Sequence, residues 1–214
     1  MHAPIPLPLP IATFFRQFGH PEGVLGALAG RVMARRNGEV NAWAVELLEL
    51  EAGEHLLEIG CGPGLALAAA ARGPAARITG VDPSVVMVAQ ARRRNRRTAH
   101  VTVVEAGAEA LPLADASVDA AIAVNSLSHW RERDRGLAEL ARVLGPGGRA
   151  ALLMRLRNPD AGRLDRSAYG FPEERAGELE AAVRGAGLEV RGWRRRECDG
   201  EPTLALLVGS RAQE

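Results

Sequence analysis

From about residue 51 onward, short apolar runs alternate with longer stretches of mixed polarity. Residues 56–59, 77–81, 101–105, 120–125 and 148–155 are strand-length runs. Segments such as AAIAV and AALLM have no polar face, which suits strands covered on both sides, as in a parallel sheet. Helical stretches separate them at 65–71, 84–97 and 133–143, and another follows at 172–185. The last two strand segments, 188–198 and 203–209, are joined through Asp199-Gly200. A connection that short requires antiparallel pairing. The pattern predicts an α/β protein, a mostly parallel seven-stranded sheet with helices on both faces, closed by a C-terminal antiparallel hairpin.

The first fifty residues read differently. Pro4, Pro6, Pro8 and Pro10 alternate with apolar residues, which favours an extended polyproline-like arm. A short helix over 11–18 gathers Phe14, Phe15 and Phe18, three of the four Phe residues in the chain. A second helix, 24–36, carries the stripe Leu25, Leu28, Val32 and Met33. Asn37 and Gly38 end it, and Asn41 is placed to cap a helix over 42–50. The division expected is an N-terminal arm and helical lid, 1–50, in front of a sheet domain, 51–214.

Composition narrows the function classes. Aromatics are 4% of the 214 residues, so the core is aliphatic, and the formal net charge of +1 draws the chain to neither nucleic acid nor anionic membrane. All 27 cationic residues are Arg, with no Lys, which reads as a GC-rich codon bias. The sharpest basic cluster, residues 92–97, lacks interleaved aromatics and reads as a solvated helix end beside the helix dipole. Cys61 and Cys198 form no disulfide framework or zinc pattern. No apolar run approaches the roughly 20 residues of a membrane span, and prolines interrupt the N-terminus, so a cytoplasmic protein is expected.

The chemistry concentrates in HLLEIGCGPGLAL, residues 55–67. A strand runs into a turn where Gly60, Gly62 and Gly64 alternate with Cys61 and Pro63, and a helix follows. Glycines let a backbone approach a ligand closely, and the helix start aims unpaired N–H groups at the same spot. A dinucleotide fingerprint needs G-x-G-x-x-G, whereas here the third glycine follows the second by two residues and Glu58 precedes the turn. The pattern E-x-G-x-G-x-G resembles the first motif of the class I S-adenosylmethionine (SAM) methyltransferases. That resemblance implies a Rossmann-like fold, SAM as cofactor and S-adenosylhomocysteine (SAH) as product.

Further motifs extend the resemblance to the C-terminus. Asp82 ends the second strand in ITGVDPS, where an acid can accept both hydrogen bonds of a ribose diol, and Pro83 follows it. Asp82 or Ser84 serves equally as a helix cap. Met87, one turn on, either covers the adenine face or belongs to the core. Residues 106–120 match the family's third signature at Ala108 and Glu109, but Gly107 replaces a common polar residue, leaving Glu109 or a carbonyl to read the adenine. NSLSHW, from Asn125 to Trp130, follows strand four and is similar to the quinone-biosynthesis type, where His-Trp recurs. There the resemblance places Asn125 against the cofactor. His129 either takes a proton from the acceptor or holds the loop.

The implied activity is SAM-dependent methyl transfer to a small molecule, on O, N or C. A SAM-binding protein of the same fold acting as a cyclase or lyase, or catalytically silent, is the alternative. Asn37, Asn41, Trp43 and Tyr169 are candidates to line the acceptor site. No metal or nucleic-acid partner is expected, and a homodimer is compatible with the arm.

Overall fold

The computed structural model describes residues 37–161 and 170–210, together with Gly26, Leu28 and Ala168. The proline arm, the Phe14–Phe15–Phe18 helix, most of the helix over 24–36, and Tyr169 lie outside the described residues.

The elements follow the predicted alternation. Helix α1 spans Gly38–Glu46 and strand β1 His55–Ile59. Then come α2, Leu65–Ala70; β2, Arg77–Asp82; α3, Val85–Asn95; and β3, Val101–Glu105. Strand β4 is Val118–Val124, α4 Arg133–Val143, β5 Leu144–Arg155, α5 Ala176–Gly185, β6 Leu188–Cys198 and β7 Glu201–Ser210. The sheet order is β3-β2-β1-β4-β5-β7-β6. The first five strands pair in parallel, and β7 runs antiparallel to both β5 and β6. Asp199 and Gly200 turn the hairpin with φ of 53° and 75°, as a two-residue turn between twisted strands requires.

Successive strand residues bury on opposite faces of the sheet. Leu57, Ile59, Ala121, Ala123, Leu152 and Met154 pack with α4 and α5. Their neighbours Leu56, Ala120, Ile122, Ala151 and Leu153 pack with α1, α2 and α3. This two-sided burial is why these strands carry no polar alternation.

Two expectations are corrected at α1. The helix begins at Gly38 and not after Asn41, which sits inside it. Asp199, at the tip of the β6–β7 hairpin, accepts from the N–H groups of Glu39 (3.2 Å) and Val40 (3.1 Å), and Glu39 Oε2 accepts from Asp199 N (2.5 Å). A reciprocal cap of this kind normally joins residues three apart in sequence; here it joins residues 160 apart. The freed Asn41 amide donates instead to Asn37 O at 2.5 Å. Trp43, expected near the acceptor, is buried in the core with Ala44 and Leu48, and Arg196 lies over its ring at 6.0 Å.

The basic cluster is also more than a solvated end. Arg92 donates twice to Val103 O (3.0 and 2.8 Å) and Arg94 to Pro63 O (2.9 Å), fastening α3 to β3 and to the glycine loop.

Candidate functional site

The strand order places β1 beside both β2 and β4, so the chain reverses direction of growth between β1 and β4. Ligands of open α/β sheets bind where the carboxyl ends of the strands diverge at such a point. A cavity of about 690 Å³ opens there. Its wall takes the glycine loop after β1, Asp82 to Met87 at the end of β2, Gly107 to Ala110 after β3, and Val124 to Ser126 with His129 to Arg131 at the end of β4; Asn37, just before α1, and Asn41 of α1 complete it. The expected cofactor residues Glu58, Gly60, Cys61, Gly62, Asp82, Pro83, Met87, Ala108, Glu109 and Asn125 all line this one cavity, as does His129. Gly64 stands behind it.

The loop needs its glycines. Gly60, Gly62 and Gly64 have φ of 73°, 50° and 76°. A Cβ on Gly60 would collide with the Ser126 side chain, and one on Gly64 would meet Asn95 Nδ2 at 2.8 Å and Ala91 Cβ at 2.9 Å. Gly62 has open space at the same position, so its backbone is the part of the loop that a ligand can approach. Ser126 Oγ donates to Ile59 O (2.7 Å) and Asn95 Nδ2 to Gly64 O (3.3 Å), holding the loop from both sides.

Asp82 joins the loop to the next helix. Its Oδ2 accepts from Gly62 N (2.8 Å) and its Oδ1 from Ser84 N (2.9 Å). Ser84 takes the capping role, its Oγ accepting from Met87 N at 3.4 Å. Each Asp82 oxygen keeps a second lone pair for a ligand hydroxyl. Burial raises the Asp82 carboxyl above its ordinary range, and the Ser84 and Gly62 N–H groups oppose that rise. Met87 is both things at once, fully buried and part of the cavity wall.

Glu58 lies deeper. Burial pushes its carboxyl well above the ordinary range, against the Leu67 N–H that its Oε2 accepts at 3.1 Å; the nearby Asp82 charge adds to the rise. A carboxyl raised this way favours the fold below its unfolded value of 4.5 and loses that contribution as pH rises through the folded value. Glu58→Gln keeps an acceptor for Leu67 N–H and has no proton to lose. Its thermal stability relative to the wild type is therefore expected to climb as pH rises above about 4.5, as read by calorimetry; a flat difference would contradict the assignment. Cys61 is buried, which raises its thiol well above the ordinary range and removes it as a nucleophile.

Glu109 does a job that the sequence did not reveal. Its Oε1 accepts from Arg131 N (2.6 Å) and Glu132 N (3.2 Å), so it fixes the segment just beyond His129. A Cβ on Gly107 would lie 2.7 Å from Glu109 Oε2, so a larger residue there would make the end of that side chain shift. Trp130 stacks on Gly136 of α4, where a Cβ would come within 2.5 Å of its ring. Asn125 adopts φ 52° after β4, and its Oδ1 accepts from Arg155 N at 2.7 Å. His129 closes a single 3-10 turn, Leu127–His129, its N–H donating to Ser126 O (2.8 Å) and its side chain exposed on the cavity rim. Ser126, Arg94 and Asn95 fall within stretches that the sequence singled out, but their contacts with the glycine loop join residues 31 to 67 apart and leave no local signal.

Among the described residues no group of three His, Cys, Asp or Glu is placed to hold a metal, and no helix is long and apolar enough to cross a membrane.

Comparison with known proteins agrees with this geometry. A family model described as a methyltransferase domain matches residues 57–152, from β1 to β5. The uncharacterized methyltransferase YdaC of Bacillus subtilis is 31% identical over 144 residues, 67% of this chain and 79% of that protein. The O-methyltransferase resE of Aspergillus sclerotiorum is 33% identical over 152 residues, 67% of this chain and 58% of its own length. Among solved structures, the [4+2]-cyclase SpnF superposes with a TM-score of 0.70 at 23% identity, covering 95% of this chain and 94% of that one.

Proposed function

This chain belongs to the methyltransferase family, and from that membership we propose that it moves a methyl group from SAM to a small-molecule acceptor. The observation that carries the reading is the convergence of Gly62, Asp82 and Asn125 on one cavity at the β1–β4 divide. The fold by itself leaves other chemistry open, since SpnF shares it. The O-methyltransferase relative, at higher identity than SpnF, favours transfer.

The residues present fit the cofactor. Asp82 offers the ribose two oxygens already oriented by backbone N–H groups, and the open face of Gly62 admits the methionine portion. Met87 and Ala108 give the adenine an apolar slot between β2 and β3. Bound SAM supplies a methyl on a sulfonium, a leaving group good enough that no covalent help is needed. What remains for the protein is alignment and exclusion of water. The Asn125–Trp130 segment, pinned by Ser126 below and Glu109 beside it, holds the acceptor side of the cavity fixed. His129 on that rim receives the proton that the acceptor gives up as its new bond to carbon forms.

Isothermal calorimetry tests the premise. Both SAM and SAH are expected to bind with micromolar affinity, and NAD is not. A wild-type protein that binds neither compound removes the reading, and NAD in their place would make the glycine loop a dinucleotide site.

A further inference from the structure

A continuous line of hydrogen bonds runs along the acceptor side of the cavity. Asn41 Nδ2 donates to Asn37 O (2.5 Å), Arg155 Nη2 donates to Asn37 Oδ1 (3.2 Å), and Arg155 N donates to Asn125 Oδ1 (2.7 Å). Arg155 is ion-paired with Glu201 of β7, so the cation inside this wall is neutralised. All three asparagines line the cavity, and Arg155 stands behind them.

The bonds settle what each amide has left to offer. Asn125 Oδ1 is held by β5, and its Nδ2 is buried with no protein partner. A buried amide donor of this kind is costly unless something supplies it an acceptor. Asn41 gives one of its two N–H groups to Asn37 O and keeps its oxygen as an acceptor. The row therefore offers both donors and acceptors and, with Arg155 paired, no net charge. The hairpin tip at Asp199 anchors the whole row by capping α1 just ahead of Asn41.

We propose that Asn41 and Asn125 are specificity-determining residues that bind the methyl acceptor through an uncharged hydroxyl group. A hydroxyl donates and accepts at once, matching what the two amides have left. A carboxylate or phosphate would bring a net charge to a row of amides whose one cation, Arg155, is already paired with Glu201. This assignment rests on the methyltransferase reading, and it moves Asn125 from the cofactor's half of the cavity to the acceptor's.

The test uses SAH-saturated protein and two matched probes, phenol and benzoate, followed by ligand-observed NMR. Phenol is expected to bind the wild type at least about fivefold more tightly than benzoate. Asn41→Ala and Asn125→Ala are each expected to weaken phenol at least about fivefold, while SAH affinity by calorimetry changes less than about twofold. Asn125→Asp keeps an oxygen for Arg155 N and exchanges the amide donor for a charged acceptor, so a folded Asn125→Asp protein is expected to weaken benzoate, which that charge repels, more than phenol. A tenfold drop in SAH affinity in these variants would give the wall to the cofactor and overturn the proposal. Tighter benzoate binding, phenol binding that ignores both alanine substitutions, benzoate binding that ignores Asn125→Asp, or no phenol binding to the wild-type SAH complex would each overturn it as well. Failure of the wild type to bind SAH at all is a separate outcome, which removes the methyltransferase reading first.

Discussion

Asp82→Ala is expected to weaken SAM and SAH binding by roughly 30- to 1,000-fold, equivalent to on the order of 2–4 kcal/mol. Two losses combine in that number. The variant forfeits the bonds that a carboxylate makes to the ribose hydroxyls, and it releases Gly62 N, which Asp82 holds at 2.8 Å, so the loop itself is less well placed. A cycle with 2′-deoxy-SAH separates them. On the wild type, the missing hydroxyl should cost about tenfold; on Asp82→Ala it should cost almost nothing further. Equal costs on both backgrounds would mean that Asp82 acts on the loop alone. Asp82→Asn should not restore affinity, because its amide nitrogen would face one of the two backbone N–H groups that the carboxylate now accepts.

The second large effect is expected at His129. Once an acceptor is in hand, His129→Ala should lower turnover by about 10²–10⁴ with SAH affinity unchanged, the loss expected when a general base is removed. The side chain sits on the cavity rim, on a turn held from two directions by Ser126 and Glu109. His129→Asn should be as slow as His129→Ala, since an amide takes no proton. An Asn variant at wild-type rate would make His129 a positioning residue, and full activity in both would leave alignment of the acceptor as the whole of catalysis.

Much of this protein was legible without coordinates. The strands β3 and β6 and the helix α4 begin and end where the sequence pattern put them, at Val101–Glu105, Leu188–Cys198 and Arg133–Val143. Such segments are set by local means: the helix by its apolar stripe, the hairpin strand by Asp199-Gly200, and the edge strand β3 by its run of β-branched Val and Thr. The glycine loop was legible for the same reason, because Gly60, Gly62 and Gly64 hold backbone angles that few other residues tolerate. That is a property of single positions, and single positions are what a sequence displays.

The tertiary structure alone decided whatever depends on a distant partner. Asn41 has the residue type of a cap and the position for one, yet Asp199 arrives from the far end of the chain and caps α1 a turn earlier. Trp43 reads as an aromatic near the acceptor and is core, because α1 turns that face onto the sheet. Glu109 looks free to read a base and is tied to the backbone at Arg131. Ser126 gives no sign in the sequence that Gly60 lies against it. In each case the local signal permits several outcomes, and a contact across 22 to 160 residues selects one of them. Propensity and periodicity act between near neighbours, so they fix the elements; only the packed sheet brings together the groups that choose among what those elements allow.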